Sequence, residues 1–232
     1  MSRIIFITGT DTGVGKTVLT TLLLAHLRES GVRALAMKPF CCGGNEDMES
    51  FRRIQGNELT PTLLNPVYLK EPLAPLAATR THGRSSLIWK AQEAIRTAAT
   101  MCDCLLVEGV GGVLVPLASK VLVADFMASV NCDVVLVAKN ELGTLNHTLL
   151  SVEALQSRGV KRVKIILMGQ KQNDHSVKTN MAVLKKCTEN MEIFRVPFIA
   201  AIERSSELDF YMAKKIKITL ARILHADTFA AR

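Results

Sequence analysis

Short apolar runs alternate along the chain with segments in which apolar residues recur at helical spacing. The runs are rich in Val, Ile and Leu and show no polar alternation, which is typical of strands covered on both faces. They comprise residues 4–8, 34–37, 104–107, 134–138, 165–168 and, with a weaker pattern, 193–196. The helical segments are residues 17–30, 86–101, 144–157 and 177–190. This alternation predicts an α/β fold, a three-layer sandwich whose mostly parallel central sheet carries helices on both faces.

Residues 60–84 depart from this alternation. They contain four prolines and little periodicity, which predicts a long loop between the second and third strands. Loops of this length inside a domain are often functional, and an ordered surface excursion without ligand contacts is the alternative. The sequence shows no internal repeat, low-complexity tract or interdomain linker, so we expect one domain spanning residues 1–232.

The segment between the first strand and the first helix reads Thr-Gly-Thr-Asp-Thr-Gly-Val-Gly-Lys-Thr over residues 8–17. Glycines at such a turn let backbone N–H groups approach phosphate oxygens, and the helix N-terminus adds partial positive charge. Lys16 can then reach the outer phosphates of a nucleotide, and the Thr17 hydroxyl can bind Mg²⁺. Gly9 and Gly15 enclose five residues, whereas the common phosphate-loop pattern encloses four. An ordinary glycine turn between a strand and a helix does not explain a Lys-Thr pair at the N-terminus of the helix. The predicted nucleotide-binding residues are Gly13, Val14, Gly15, Lys16, Thr17 and Val18.

Charged or glycine-rich segments also follow the next three predicted strands. Lys38 and Asp47 come after the second strand, Glu108 after the third, and residues 139–147 after the fourth. Because ligands of open α/β sheets bind beyond the carboxyl ends of the strands, we expect these segments along one rim. Asp47 and Glu108 offer the one or two carboxylates that Mg²⁺ prefers beside phosphate and water. Helix capping is the alternative for Asp47, and its neighbour Glu46 is a rival for the metal.

The composition limits the classes of partner. A net charge of +8 and an isoelectric point near 9.3 are typical of proteins that bind nucleic acid. However, the chain has two Tyr, one Trp and no basic run interleaved with aromatics. The lysine pairs at 185–186 and 214–215 are typical of solvated helix faces. Six cysteines fit neither a disulfide scaffold nor a zinc pattern, and no apolar run has the length of a membrane span. We therefore expect a cytoplasmic protein without nucleic-acid or membrane partners.

The ordered strand-end motifs, taken together, closely resemble dethiobiotin synthase, a family with a P-loop NTPase-like fold. The motifs are residues 9–17, Lys38-Pro39, Glu71-Pro72-Leu73-Ala74-Pro75, Glu108-Gly109-Val110-Gly111-Gly112 and Gly143-Thr144-Leu145-Asn146-His147. The resemblance extends from the first strand to about residue 160 and is weaker beyond it. It implies an ATP- and Mg²⁺-dependent ligase of biotin biosynthesis that converts 7,8-diaminononanoate and CO₂ to dethiobiotin. In that reaction an amine captures CO₂ as a carbamate, ATP phosphorylates the carbamate, and the second amine closes the cyclic urea.

The resemblance also implies the roles of individual residues. The catalytic positions are Lys38, which would hold the carbamate and the transferring phosphoryl group, Lys16 at the outer phosphates, and Thr12 between phosphate and substrate. The implied metal ligands are Thr17, Asp47 and Glu108. The implied substrate-binding residues are Thr12, Lys38, Cys42, Gly111, Gly112, Gly143 and Asn146. Of these, Gly143 and Asn146 would bind the substrate carboxylate from a helix start across a homodimer interface.

Three positions depart from the family pattern. Cys42 stands where the family often has a hydroxyl residue, and Leu76 stands where relatives commonly place His. Gln170 follows the fifth strand near the position of an Asn that reads the adenine edge, and its amide is our expected base contact. These departures affect the substrate loop and the base contact more than phosphate binding.

Two other functions remain as alternatives. Related P-loop ligases of other pathways, such as amidating ligases, usually carry a second, glutaminase-like domain, for which 232 residues leave no room. Partitioning-type switch ATPases carry an additional lysine at the front of the phosphate loop. This chain has Gly9-Thr10-Asp11 there, without lysine.

Overall fold

A computed structural model describes residues 2–79, 84–160, 162–189, 191–199 and 214–225. The strands in these ranges are β1 (Arg3–Gly9), β2 (Ala34–Met37), β3 (Phe40–Cys42), β4 (Val67–Leu69), β5 (Cys104–Gly112), β6 (Pro116–Ala118), β7 (Val121–Leu122), β8 (Asp133–Lys139), β9 (Val163–Met168) and β10 (Glu192–Val196). The helices are α1 (Lys16–Glu29), α2 (Glu46–Gln55), α3 (Pro61–Leu64), α4 (Pro75–Ala78), α5 (Arg84–Ala99), α6 (Val123–Ser129), α7 (Thr144–Gln156), α8 (Asn180–Cys187) and α9 (Lys214–Leu224), with a 3₁₀ turn at His175–Lys178.

Six of the strands form the central sheet in the order β10-β9-β8-β1-β5-β2, and every neighbouring pair is parallel. The six predicted strands are all present, including the weak one, which becomes β10. Their Val, Ile and Leu side chains are buried on both faces of the sheet. This burial is why the strand sequences show continuous apolar runs rather than alternation.

The helices cover both faces of the sheet. The connection from β1 to β2, through α1, runs toward the β2 edge of the sheet. Every later connection between strands of this sheet runs toward the β10 edge. Because such connections are right-handed, α1 lies on one face and α5, α6, α7 and α8 lie on the other. Helix α9 contacts α1 and so completes the first face. The predicted three-layer architecture is confirmed.

Several segments differ from the sequence-based prediction. Residues 60–79 are not a structureless loop, because they form α3, β4 and α4, and α5 begins at Arg84; residues 80–83 lie outside the described part. The predicted helix 177–190 begins as a 3₁₀ turn and continues as α8, and residue 190 also lies outside the description. The sequence analysis did not predict β3, β4, the β6–β7 hairpin or helix α6. These elements are short, so their periodicity is too brief to detect.

Strand β5 is longer than the apolar run that predicts it. The run ends at Val107, whereas the strand continues to Gly112 and includes Glu108. Glu108 pairs with Ile7 of β1, and the next pair joins Gly9 to Gly112, so β1 advances two residues while β5 advances four. This bulge turns residues 109–111 out of the regular ladder, beside the turn that follows β1.

The described residues include no helix with both the length and the apolar character to cross a bilayer.

Candidate active site

A cleft of about 620 Å³ opens at the carboxyl edge of the sheet. The turn between β1 and α1, the end of β2, the start of α2, residues 72–75 and the bulge of β5 line it. Of the predicted site residues, the cleft contains Thr12, Gly13, Gly15, Lys16, Thr17, Val18, Lys38, Cys42, Asp47, Glu108 and Gly111. Side chains that are far apart in sequence therefore converge where the strand-end rule predicts a ligand.

The phosphate loop is held by its glycines and by Lys16. Gly15 precedes α1 with φ of 101°, a left-handed conformation that glycine adopts without steric strain. Lys16 is the first residue of α1, and its Nζ donates to the carbonyl oxygens of Asp11 (2.8 Å) and Gly111 (2.9 Å). The lysine side chain thus spans the mouth of the loop and joins it to the bulge of β5.

Four polar side chains meet in the floor of the cleft beside this loop. The Thr17 hydroxyl lies 2.7 Å from Asp47 Oδ1 and 3.0 Å from Glu108 Oε1. Lys38 Nζ donates to Glu108 Oε1 at 2.7 Å and to Asp47 Oδ2. Glu108 and Lys38 are the buried part of the cluster, at 0% and 7% exposed, whereas the Asp47 side chain is 33% exposed. Residues of β5, α1 and α2 and the residue that follows β2 thus form one network around two carboxylates.

The cleft gives its two lysines different pKa values. Burial lowers the pKa of Lys16 to about 8, and the more distant carboxylates only partly oppose this effect. Burial also disfavours the charged form of Lys38, but contact with Glu108 and Asp47 outweighs burial and raises the Lys38 pKa above its usual value. Burial alone would raise the pKa of Asp47, yet the charge and hydrogen bond of Lys38 lower it. Lys38 and Asp47 therefore carry full charges at neutral pH.

The donor set suits a hard divalent cation. Glu108 Oε2 is buried and has no hydrogen-bond partner among the described residues. A buried carboxylate oxygen without a partner is costly unless a cation or a water satisfies it. No group of three or more His, Cys, Asp or Glu side chains converges in the described ranges. Glu46, the rival ligand, also lines the cleft but is exposed, whereas Asp47 and Glu108 both contact the Thr17 hydroxyl. These two carboxylates and the hydroxyl form a set that fits Mg²⁺ supplemented by phosphate and water.

The cleft also has an apolar wall, formed by Leu73, Pro75, Val110 and Val115. Val110 lies in the β5 bulge, and Val115 follows β5. The sequence analysis did not predict a role for either valine, because nothing in the local pattern distinguishes them from core residues.

The remaining predicted site residues do not line this cleft in the described structure. The Val14 side chain is buried, and Gly112 packs so closely on the phosphate loop that a Cβ there would lie 2.9 Å from the Thr10 carbonyl oxygen. Gln170 lines a separate cleft of about 780 Å³. Gly143 precedes α7 with φ of 93°, and Asn146 is exposed in the first turn of that helix. Leu76 also lies outside the lining of the phosphate-loop cleft.

Comparison with proteins of known sequence gives a consistent result. Residues 3–210 match a family model described as an AAA domain. The chain is 37% identical to the ATP-dependent dethiobiotin synthetase BioD of Anaeromyxobacter dehalogenans over 221 residues, which cover 93% of this chain and 99% of that protein. It is also 37% identical to the protein of the same name from Methanocaldococcus jannaschii over 167 residues, or 70% of this chain and 78% of that protein.

Solved structures show the same fold at much lower sequence identity. A ParA family ATPase from Chlorobium tepidum TLS superposes with a TM-score of 0.61 at 14% identity, covering 96% of this chain and 98% of that chain. The MinC:MinD cell division protein complex of Aquifex aeolicus gives a TM-score of 0.62 at 16% identity, with coverage of 100% and 98%. These structures support the fold alone. The sequence relatives, of which the Anaeromyxobacter dehalogenans protein matches almost end to end, show that the chain belongs to the dethiobiotin synthetase family.

Proposed function

We propose that this chain is an ATP-dependent dethiobiotin synthetase that acts as a single P-loop domain over residues 1–232. It would join CO₂ to 7,8-diaminononanoate and close the cyclic urea with phosphorylation by ATP. The observation that carries this proposal is the contact of Lys38 with both Glu108 and Asp47, directly beside the phosphate loop. That arrangement provides cations for phosphate and carbamate and oxygen ligands for a metal in one cleft.

The phosphate loop would bind the triphosphate of ATP. Backbone N–H groups of residues 13–18 and the N-terminus of α1 suit phosphate oxygens. Lys16 would exchange its two carbonyl partners, Asp11 and Gly111, for oxygens of the outer phosphates. Since those partners are neutral, Lys16 gives up no ion pair when a phosphate replaces them.

Thr17, Asp47 and Glu108 would hold Mg²⁺. These residues would place the ion beside the phosphate loop, and its chemistry would be neutralisation of the charge that develops in phosphoryl transfer. The orphaned Glu108 Oε2 and the short distances within the cluster support this assignment.

Lys38, Thr12 and Gly111 would bind the carbamate. An amine nitrogen of the substrate bonds to CO₂ and loses a proton, and a carbamate oxygen then attacks the γ-phosphorus of ATP as ADP leaves. The second amine attacks the activated carbonyl carbon, and phosphate leaves as the ring closes. An ammonium near the carbamate and the transferring phosphoryl group stabilises the negative charge that accumulates there. The apolar wall of Leu73, Val110 and Val115 suits the methylene chain of the substrate.

The carboxylate end of the substrate would lie at a second copy of the chain. Gly143 and Asn146 lie outside the phosphate-loop cleft, although a helix N-terminus suits a carboxylate. Leu142, in the turn before α7, is 81% exposed, and Leu150, which lies on the same side of α7 as Asn146, is 56% exposed. A homodimer that covers these leucines would bring Asn146 of one copy to the cleft of the other.

The base of the nucleotide would lie beyond β9, near Gln170. The Gln170 Nε2 donates to the Met168 carbonyl oxygen at 2.9 Å, which leaves the side-chain oxygen available to a base amine. We also propose that the protein works in the cytoplasm without nucleic-acid or membrane partners. All six of its cysteines are free thiols, as suits a reducing compartment.

Substrate dependence of ATP turnover tests this proposal. We expect phosphate release only when 7,8-diaminononanoate and bicarbonate are both present, with formation of dethiobiotin in equal amount. ATP hydrolysis at the same rate without the diamine would contradict the proposal and favour a partitioning-type switch ATPase.

A further inference from the structure

The Lys38 ammonium lies in the space that a metal ion would need. It shares Glu108 Oε1 with the Thr17 hydroxyl, at 2.7 and 3.0 Å respectively. It also shares the Asp47 carboxylate with that hydroxyl, each contacting a different oxygen. A divalent cation bound by Thr17, Asp47 and Glu108 must contact these same oxygens. Two cations cannot occupy one position, because repulsion between them is strong in a buried site.

Lys38 offsets part of the carboxylate charge in the cleft. It carries a single positive charge, and it is the lysine in contact with both Asp47 and Glu108. Lys16, which is equally buried, contacts only carbonyl oxygens. Lys38 is therefore the counter-ion that offsets the cost of burying the two carboxylates. A divalent cation in the same position carries two positive charges, one for each carboxylate, and would leave the ammonium without a role there.

The backbone of Lys38 is fixed, so its side chain is the part that can move. The Lys38 N–H donates to the Leu64 carbonyl oxygen at 2.9 Å, and the Lys38 carbonyl accepts from Asn65 Nδ2 at 2.6 Å. Pro39 follows directly and restricts the chain further. The flexible four-carbon stem of lysine can still move the ammonium within the cleft, which Thr12 and Gly111 also line.

We propose that Lys38 occupies the metal position as an internal counter-ion, and that arrival of the divalent cation displaces its ammonium toward the substrate side of the cleft. One residue would thus hold the metal ligands in place before binding and would reach the carbamate afterwards. The second half of this inference rests on the proposed function. It predicts that the carbamate site is complete only after the metal and nucleotide have bound. By linkage, metal and carbamate then strengthen each other's binding.

Binding of Mn²⁺ alone tests the exchange directly, because its electron paramagnetic resonance signal reports bound metal without any turnover. In Lys38→Met the competing ammonium is absent, so we expect Mn²⁺ to bind about tenfold more tightly than in the wild type. Lys16→Met is the matched control, since it removes an equally buried lysine that makes no contact with either carboxylate. We expect a gain of no more than about threefold in that variant, from the general change in potential. Unchanged or weaker Mn²⁺ binding in Lys38→Met, or an equal gain in both variants, would overturn the proposal.

A wild-type crystal structure with Mn²⁺ and a non-hydrolysable ATP analogue provides a second test that needs no folded variant. We expect Lys38 Nζ to have left both carboxylates while the backbone contacts to Leu64 and Asn65 persist. An ammonium that still contacts both Asp47 and Glu108 beside the bound metal would contradict the exchange. Neither experiment uses the diamine. Absence of diamine-dependent turnover would therefore contradict the proposed function and leave the metal result standing.

Discussion

Lys16 and Lys38 show that two equally buried lysines can have very different pKa values, because their local contacts differ. Each is 7% exposed. Lys16 contacts two neutral carbonyl groups, and burial lowers its pKa to about 8. Lys38 contacts two carboxylates, which overcome burial and raise its pKa. At equal burial, the lysine that contacts carbonyl groups therefore has the lower pKa, and the lysine that contacts carboxylates has the higher one.

Removal of either lysine should abolish dethiobiotin formation. We expect Lys16→Ala and Lys38→Ala each to lower turnover by at least about a hundredfold, because each removes a cation at which negative charge develops. The fold should persist, as judged by circular dichroism, but Lys38→Ala should be less stable than Lys16→Ala because it leaves Asp47 and Glu108 without their counter-ion. Lys70→Ala is the control, because Lys70 is exposed and should keep wild-type turnover. Near-normal turnover in Lys38→Ala would make the assignment of that residue wrong.

Cys42 is a neutral thiol in the cleft, because burial raises its pKa to about 11. A thiol is a weak hydrogen-bond donor, whereas a hydroxyl bonds phosphate or carbamate oxygens well. We therefore expect Cys42→Ser to show unchanged or higher turnover in the same coupled assay. A large loss would mean that the pocket depends on the sulfur atom, and the predicted hydrogen bond would then be wrong.

At the scale of elements, helix α2 is attached to the edge strand of the sheet by one buried side chain. Gln55 is 1% exposed, and its amide bonds both the N–H of Ala36 at 2.7 Å and the carbonyl of Ala36 at 3.0 Å. The side chain thus satisfies backbone groups that an edge strand would otherwise leave unpaired. Since α2 carries Asp47 in its first turn and β2 leads into Lys38, this attachment also fixes the spacing of the two charged groups.

Loss of this attachment should destabilise the protein. We expect Gln55→Leu to lower the free energy of unfolding by about 2–4 kcal/mol, because it leaves one buried donor and one buried acceptor unpaired. Urea denaturation measures the effect. Ser50→Ala on the same helix removes only a local hydroxyl contact with the Glu46 carbonyl and should stay within about 0.5 kcal/mol of the wild type. Equal effects of the two substitutions would contradict this role for Gln55.

The last turn of α9 is held by a buried lysine whose titration should appear in stability. Lys164 is 1% exposed, and its Nζ donates to the carbonyl oxygens of Arg222, Ile223 and His225. Burial lowers its pKa to about 8, more than Glu192 raises it, whereas an unfolded lysine has a pKa near 10.4. Between these two pKa values the unfolded chain binds more protons than the folded chain. Stability from this group therefore rises with pH in that window and is constant below it.

This sign can be tested by thermal unfolding of Lys164→Met between pH 7 and pH 10. Above pH 8, we expect the free energy of unfolding of the wild type to rise relative to that of the variant, by at most about 1.4 kcal/mol per pH unit. The exposed Lys185→Met should show no such slope. If the wild type gains no unfolding free energy relative to the variant above pH 8, or loses some, then the fold does not lower the pKa of Lys164.

The sequence predicts the long elements well and the short ones poorly. Central strands such as β8 are buried on both faces, so their apolar runs are unmistakable. Strand β4 and helices α3 and α4 owe their existence to packing of a proline-rich segment on its neighbours, which local patterns do not encode. The extension of β5 past Glu108 was missed for a related reason, because a buried carboxylate and glycines look like the end of a strand. Tertiary contacts with Lys38 and the phosphate loop explain that extension.

At the scale of the whole molecule, the site residues divide into two groups. Residues at the ends of β1, β2 and β5 converge in one cleft, as the strand-end rule predicts. Gly143 and Asn146 follow β8 at the same edge of the sheet, but they face solvent outside that cleft. A single sequence carries no information on how two copies meet. We propose that two copies associate at the exposed leucines near Asn146 and that this association brings Asn146 to the predicted site.

Disruption of that association should separate the two copies and reduce activity. Leu142, in the turn before α7, is 81% exposed, and burial of such a side chain in a dimer removes apolar area from water. We expect Leu142→Asp to sediment as a monomer and to show a raised KM for the diamine, because the substrate carboxylate loses the partner helix. Trp89→Ser is the control, since Trp89 is also exposed, at 62%, but lies on α5. It should remain dimeric. If the wild type is a monomer by sedimentation equilibrium and is fully active at the same concentration, a shared site is contradicted. Asn146 would then need another role.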